Sequence, residues 1–367
     1  MKINSKVLWL TLAGAMSAGG SVQAQSNVTV YGLLDTAVEY SKQGGGGLVR
    51  LQPGSFQGNR IGFRGTEDLG GGLSALFLLE NGFTLDNGNL AQGGRLFGRQ
   101  AFVGLRNQLG TVALGRQYSP YYLSMLQQDA FQWSMVGGLP AITRTTGATA
   151  ATSLLLTGYQ NIGRVDNSIT YTSPNVGGFT GNLMYGFGEV AGDTGAGRVL
   201  GASLRYSVSA FDLNIGYTEA NDPFDRGSLK AMNAGGNVVV GPARIYAGYI
   251  REENTSATSA TAALPSVRFD LYNIGVRYNV TGALVLIGQA AHIKDRSAGL
   301  TVDRDANVYA VGAEYNLSKR TLVYSSYGTV GNRNGSNYSL GSGTALGGPA
   351  SGNERARTVN VGVKHVF

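Results

Sequence analysis

Segments of about ten residues in which apolar and polar side chains alternate recur along this chain, and the stretches joining them are alternately short and long. "NSITYTS", "FTGNLMYGFG", "DLNIGYTEA", "LYNIGVRYNV", "NVYAVGAEYNL" and the terminal "TVNVGVKHVF" all carry the pattern. A period of two sends successive side chains to opposite faces of a strand. The short joints are EDLGGG (67–72), NQLG (107–110), PNVGG (174–178), VSAF (208–211), VGPA (240–243), VTGA (280–283) and LSKR (317–320). The long ones, rich in Gly, Ser, Asn and Thr, fall at 41–58, 84–95, 119–165, 190–198, 220–228, 253–267, 294–306 and 332–357. Seven short and eight long joints make fifteen connections, hence sixteen strands. An even number returns the chain to the side on which it started.

Strands of this length match a tilted crossing of a bilayer, and many carry Tyr or Phe near an end, where an interfacial girdle sits. Lipid cannot satisfy free backbone N–H and C=O groups, so only helices or closed barrels span it. Charged residues make up only 14% of the chain, against roughly 25% in soluble domains. The fold expected is all-β: a 16-stranded antiparallel transmembrane β-barrel. A soluble sandwich or propeller with decorated loops is the competing architecture. The first residues resemble an export leader. Lys2 and Lys6 precede the apolar "VLWLTLAGAMSAGG", and "VQA" (22–24) is a small-x-small cleavage pattern, so residues 1–24 are expected to be removed and Gln25 to begin the mature chain. Loss of the two lysines takes the formal charge from +7 to +5, a mild excess that indicates no nucleic-acid partner. Cysteine is absent, which removes disulfides, thiolate metal sites and thiol nucleophiles.

Two arginines stand four residues apart in "NRIGFRGTEDLGGG" (59–72). Alternation puts Ile61 and Phe63 on one face and Arg60, Gly62, Arg64 and Thr66 on the other. An arginine facing lipid near the midplane costs about 2–4 kcal/mol, so Ile61 and Phe63 should face lipid and Arg60 and Arg64 the lumen. Whether they select ions or only solvate the inner wall is left open by the pattern. Arg99, Arg116, Arg144 and Arg164 are further basic candidates; parity does not orient Arg99, and Arg116 ends the strand before the long 119–165 stretch. Between Ser119 and Gly163 the only acid is Asp129 and the only base Arg144. "YYLSMLQQDAFQWSM" (121–135) can hold a short helix. Tyr118, Tyr121, Tyr122 and Trp133 either shape a pore or pack against the wall.

"NVTVYGLLDTAVEY", "NRIGFRGTEDLGGGLSALFLLENGF", "RLFGRQAFVGLRNQLGTVALGRQYSP", "RVDNSITYTSP" and "NVGVKHVF" together resemble the general porins of Gram-negative outer membranes, best those of the neisserial and betaproteobacterial type. The resemblance implies an outer-membrane homotrimer that passes small hydrophilic solutes, with the third long loop, here 119–165, folded into the lumen. It implies that Arg60, Arg99 and Arg164 stand where anion-preferring members carry arginine, so that Arg60, Arg64, Arg99, Arg116, Arg164, Asp129 and Arg144 form a constriction of positive sign. It also implies that Phe367, ending the row Val359, Val361, Val363, His365, is the signal read by the outer-membrane assembly machinery. Lipid and lipopolysaccharide are the surrounding partners. A substrate-specific channel and an adhesive surface barrel are the other readings. No cofactor, metal or catalytic site is expected: His292 and His365 are the only histidines and lie in different strands. The acids of "NDPFDRGS" (221–228) and "VDRDAN" (302–307) are either solvated or hold divalent cations.

Overall fold

The computed structural model describes residues 27–42, 46–146, 150–153, 162–256, 259–261, 267–298, 302, 304–341 and 353–367, with backbone alone for 144–146 and 150–153. The expected leader and the start at Gln25 lie outside the described residues. Sixteen strands form the wall: Asn27–Lys42, Arg60–Gly70, Leu73–Gly82, Gln100–Asn107, Gly110–Tyr118, Arg164–Thr172, Phe179–Gly186, Val199–Ser207, Phe211–Asn221, Ser228–Val240, Ala243–Asn254, Val267–Asn279, Leu284–Asp295, Ala306–Asn316, Thr321–Asn332 and Arg355–Val366. Each pairs antiparallel with the next, and Leu33–Lys42 of the first pairs with Val366–Arg357 of the last. Phe367 and Gly32 exchange backbone hydrogen bonds of 3.1 Å at the foot of that seam. The sheet therefore closes on itself and leaves no free edge.

Alternation orients the wall as the sequence predicts. Ile61 and Phe63 are each 37% exposed on the outer face, and Val359, Val361 and Val363 share the outer row of the last strand. Two boundaries move. The strand beginning at Arg60 runs through Glu67 and Asp68, so the first turn is tighter than 67–72. The 41–58 stretch contains a strand, Gly47–Pro53, that pairs with Thr36–Lys42 in line with the second barrel strand.

The core lies inside the barrel, because the chain after Tyr118 turns inward and packs on the inner wall. Ser119 caps the helix Pro120–Met125: its hydroxyl accepts from Tyr122 N at 3.2 Å, and Pro120 fits the first turn, where an N–H would be unpaired. Tyr121, Met125, Val136, Leu139 and Ile142 are buried against Leu229, Ile250, Phe269, Leu271 and Ile293 of the wall. Those wall residues face the lumen, yet they are apolar because the inserted segment covers them.

Inserted backbone must be hydrogen-bonded where water is excluded. Inner-wall side chains do this in sequence. Asn237 donates to Gln127 O at 2.9 Å and Asn273 to Gln128 O at 2.6 Å. Gln289 accepts from Ala130 N at 2.9 Å and donates to Gly137 O at 3.0 Å and to the Asp129 carboxylate at 2.9 Å. Replacing Gln289 by Leu would orphan these buried groups at roughly 1–3 kcal/mol each. The expected result is a barrel that still resists unfolding but whose inserted segment is cut by protease at least several-fold faster; an unchanged cleavage rate would contradict this anchoring.

Candidate functional site

The inserted segment leaves a cleft of about 480 Å³ beside the opposite wall. Arg60, Arg99 and Arg164 line it from the wall side, with Tyr118 at the end of its wall strand; Tyr122, Leu126, Trp133 and Pro140 line it from the inserted segment. Residues 54–58 complete the rim and are held by Asp35, which is fully buried and accepts from Phe56 N at 2.5 Å and Gln57 N at 2.6 Å. Gly58 sits so close to Arg99 that an added Cβ would lie 2.9 Å from its Nη1, so a side chain there would push the guanidinium away.

Each arginine is fixed by named groups. Arg99 Nε donates to Glu80 at 2.7 Å and its Nη2 donates to the Tyr118 hydroxyl at 2.9 Å. Arg60 lies 3.9 Å from the other Glu80 oxygen, to which the Tyr31 hydroxyl donates at 2.8 Å. Arg164 Nη2 donates to the same Tyr118 hydroxyl at 3.0 Å, and its guanidinium stands 4.8 Å from the Tyr118 ring centroid, within cation–π range. Tyr122 stacks on Tyr118 with centroids 4.5 Å apart and meets Trp133 edge-on at 4.2 Å. The wall side is thus three cations and the facing side a stack of neutral rings. No carboxylate lines the cleft among the described residues; Glu80 lies behind the arginines with its side chain 4% exposed.

The other expected site residues are elsewhere. Arg64 lines the lumen in a second cleft of about 440 Å³ with Arg106, Thr29 and Tyr31, its guanidinium 5.3 Å from the Tyr31 ring. Arg116 lies in a bulge between Gly115 and Gln117, where alternation breaks. It donates to Gly98 O at 2.8 Å and pairs with Asp166 at 2.6 Å, which Arg95 also binds, away from the cleft. Asp129 does not line the cleft. It is fully buried and accepts from Phe131 N, Trp133 N and Leu139 N, each at 3.0 Å, besides Gln289. Burial pushes its carboxyl above the usual range while those hydrogen bonds pull it back. Arg144 belongs to the strand Ile142–Thr146, paired through its backbone with Tyr338, and its side chain lies outside the described residues. Tyr121 is also buried, donating to Glu252 at 2.8 Å, so of the four aromatics only Tyr118, Tyr122 and Trp133 reach the cleft. Asp222 and Asp225 organise their own loop, Asp222 accepting from Phe224 N and Arg226 N. Glu80 and Asp35 went unpredicted. Glu80 carried one signal: it is the only charge in its strand and pairs in register with Gly62, beside Arg60.

Residues 10–335 match the family model described as Gram-negative porin. Outer membrane porin protein 32 of Delftia acidovorans is 27% identical, covering 98% of this chain and 99% of that protein. An outer membrane porin protein of Bordetella pertussis is 29% identical, covering 87% and 92%. Among solved structures, the anion-selective porin from Comamonas acidovorans is 27% identical and superposes with a TM-score of 0.78, covering 94% of this chain and all of that one.

Glu80 and Arg99 form a buried pair, so losing one partner strands the other, which costs about 3–5 kcal/mol. Glu80→Gln is therefore expected to lower the temperature at which the folded barrel gives way on heating in detergent. An unshifted transition in heat-modifiability gels would refute the pairing.

Proposed function

Since this chain belongs to the Gram-negative porin family, it is a channel of the outer membrane for passive diffusion, and we propose that its constriction favours anions. One observation carries the preference: three guanidiniums line the cleft and, among the described residues, the only carboxylate paired with them, Glu80, lies behind two of them. Three positive charges less one negative leave two uncompensated. Screening at physiological salt acts over about 8 Å, so fixed charges in a passage of that order still bias the ions within it. Arg64 and Arg106 extend the positive wall along the lumen. The relative named an anion-selective porin supports the same reading.

We place Arg60, Arg99 and Arg164 in the constriction, with Arg64 in the approach to it and Asp129 as a clasp of the inserted segment. The permeant class is small hydrophilic solutes and inorganic anions, and no catalytic step is assigned to any residue. We read the assembled form as a homotrimer, and Phe367, outward-facing at the seam, as the assembly signal.

In planar bilayers across a KCl gradient, the reversal potential should show chloride preference, with openings in steps of three. Arg60→Gln combined with Arg164→Gln should shift that potential toward zero. Cation selectivity of the wild type would overturn the reading. For the terminal residue, Phe367→Ala should reduce folded protein recovered from outer membranes several-fold without changing the conductance of what does assemble; undiminished recovery would remove the assembly role.

A further inference from the structure

Residues 54–58 join the short strand Gly47–Pro53 to the wall strand Arg60–Gly70. Gly54, Ser55, Gln57 and Gly58 line the cleft, while Phe56 is buried against the wall. One wall residue takes hold of nearly the whole stretch. Asp35 O accepts from Gly54 N at 2.9 Å, and the Asp35 carboxylate accepts from Phe56 N at 2.5 Å and Gln57 N at 2.6 Å. Its own N–H donates to Asn59 Oδ1 at 2.5 Å. The second carboxylate oxygen accepts from the Tyr324 hydroxyl at 2.5 Å. Asp35 is fully buried, and a buried charge is tolerated only where donors meet it in this way.

Phe56 is the plug of this seating. Its ring centroid lies 5.1 Å from that of Tyr324, and Lys364 Nζ stands 4.2 Å from it, within cation–π range. Lys364 is the cross-strand neighbour of Asp35, so plug and clasp share one patch of inner wall. Ser55 ties the stretch on both sides: its hydroxyl accepts from Asn360 Nδ2 at 2.6 Å, and its carbonyl accepts from Met135 N of the inserted segment at 2.7 Å. The stretch in turn touches two of the three cleft arginines, both through Gly58. Arg60 Nε donates to Gly58 O at 3.1 Å. Arg99 lies so near that only a residue without a side chain leaves its guanidinium in place. From Asp35 to either arginine the path is a few contacts long.

We propose that residues 54–58 form a second jaw of the passage, and that Asp35 and Phe56 are the positioning residues through which this jaw sets the anion preference. The inference rests on the anion-preferring reading above. It carries a sign that charge alone does not. Asp35 is negative, so by electrostatics alone its removal strengthens the preference for chloride. As the clasp of the jaw it acts the other way: an apolar side chain of similar size frees 54–58, Gly58 leaves Arg60 and Arg99, and the preference falls.

Reversal potentials in a KCl gradient would be compared for the wild type and three variants, each first shown to be assembled by its heat-modifiability on gels. Asp35→Leu should shift the potential toward zero. Asp35→Asn should keep the wild-type value or exceed it, because an amide oxygen still accepts from Phe56 N and Gln57 N while its NH2 donates to the Tyr324 oxygen. Phe56→Ala should shift the potential toward zero with the charge of Asp35 untouched. A rise in chloride preference shared by Asp35→Leu and Asp35→Asn would show that Asp35 acts by charge alone and would overturn the proposal. Wild-type values for Asp35→Leu or for Phe56→Ala would overturn it as well. Phe56 lies outside the wall strands, so if Asp35→Leu fails to assemble, Phe56→Ala decides the matter. Cation selectivity of the wild type itself brings down the anion reading, whereas a chloride-selective wild type with unmoved variants brings down this inference alone.

Discussion

Closure of the sheet is the interaction on which everything else depends. A backbone in hydrocarbon has no water to fall back on, and each unpaired N–H or C=O would cost several kcal/mol. The pairing of Leu33–Lys42 with Val366–Arg357 removes the last two edges at once. From closure follows the division of side chains. Every strand has one face in lipid and one in an enclosed space, so each charged residue at mid-membrane depth must point inward. Arg60 and Arg64 face the lumen for that reason before any question of function arises.

A closed wall creates a second problem, because the segment that enters it brings its own polar backbone. The inner amides of Asn237, Asn273 and Gln289 receive that segment strand by strand, and the apolar inner residues Ile250, Leu271 and Ile293 give it a core. The segment is held as firmly as a domain interior. Its position is then fixed relative to the arginines opposite, and the cleft between them has a defined shape. Asp129 serves this seating. Its carboxylate closes a turn of the inserted chain rather than meeting the solute path.

The architecture could be read in the chain because the alternation of faces and of joint lengths is local. Ile61 and Phe63 against Arg60 and Arg64 is a contrast visible in five residues. The site was less legible where both faces look alike. Leu76 and Leu78 share the inner row with Glu80, so nothing local marks Glu80 as the partner of Arg99. Arg99 precedes its strand, and no alternation reaches it. Arg116 sits within a bulge that resets the count. Asp129 was misplaced because counting the acids of a segment does not say which side of it faces water. Burial depends on which residues of a distant strand lie opposite, and Gln289 is separated from Asp129 by a hundred and sixty residues.

The cleft shows how a protein can immobilise cations without cancelling them all. Arg95 and Arg116 share the carboxylate of Asp166, and neither lines the cleft. Arg99, besides its pair with Glu80, shares one neutral oxygen with Arg164, the Tyr118 hydroxyl, and Arg164 rests near the ring face of the same residue. Hydrogen bonds to a neutral acceptor and a cation–π contact orient a guanidinium while leaving its charge available. The single carboxylate, Glu80, is shared between Arg99 and Arg60 and shielded by them from the cleft. The opposing wall, Tyr122 and Trp133, is aromatic and uncharged, so it narrows the passage without adding countercharge. How much positive charge faces the cleft therefore depends on what holds the arginines, not on their number alone.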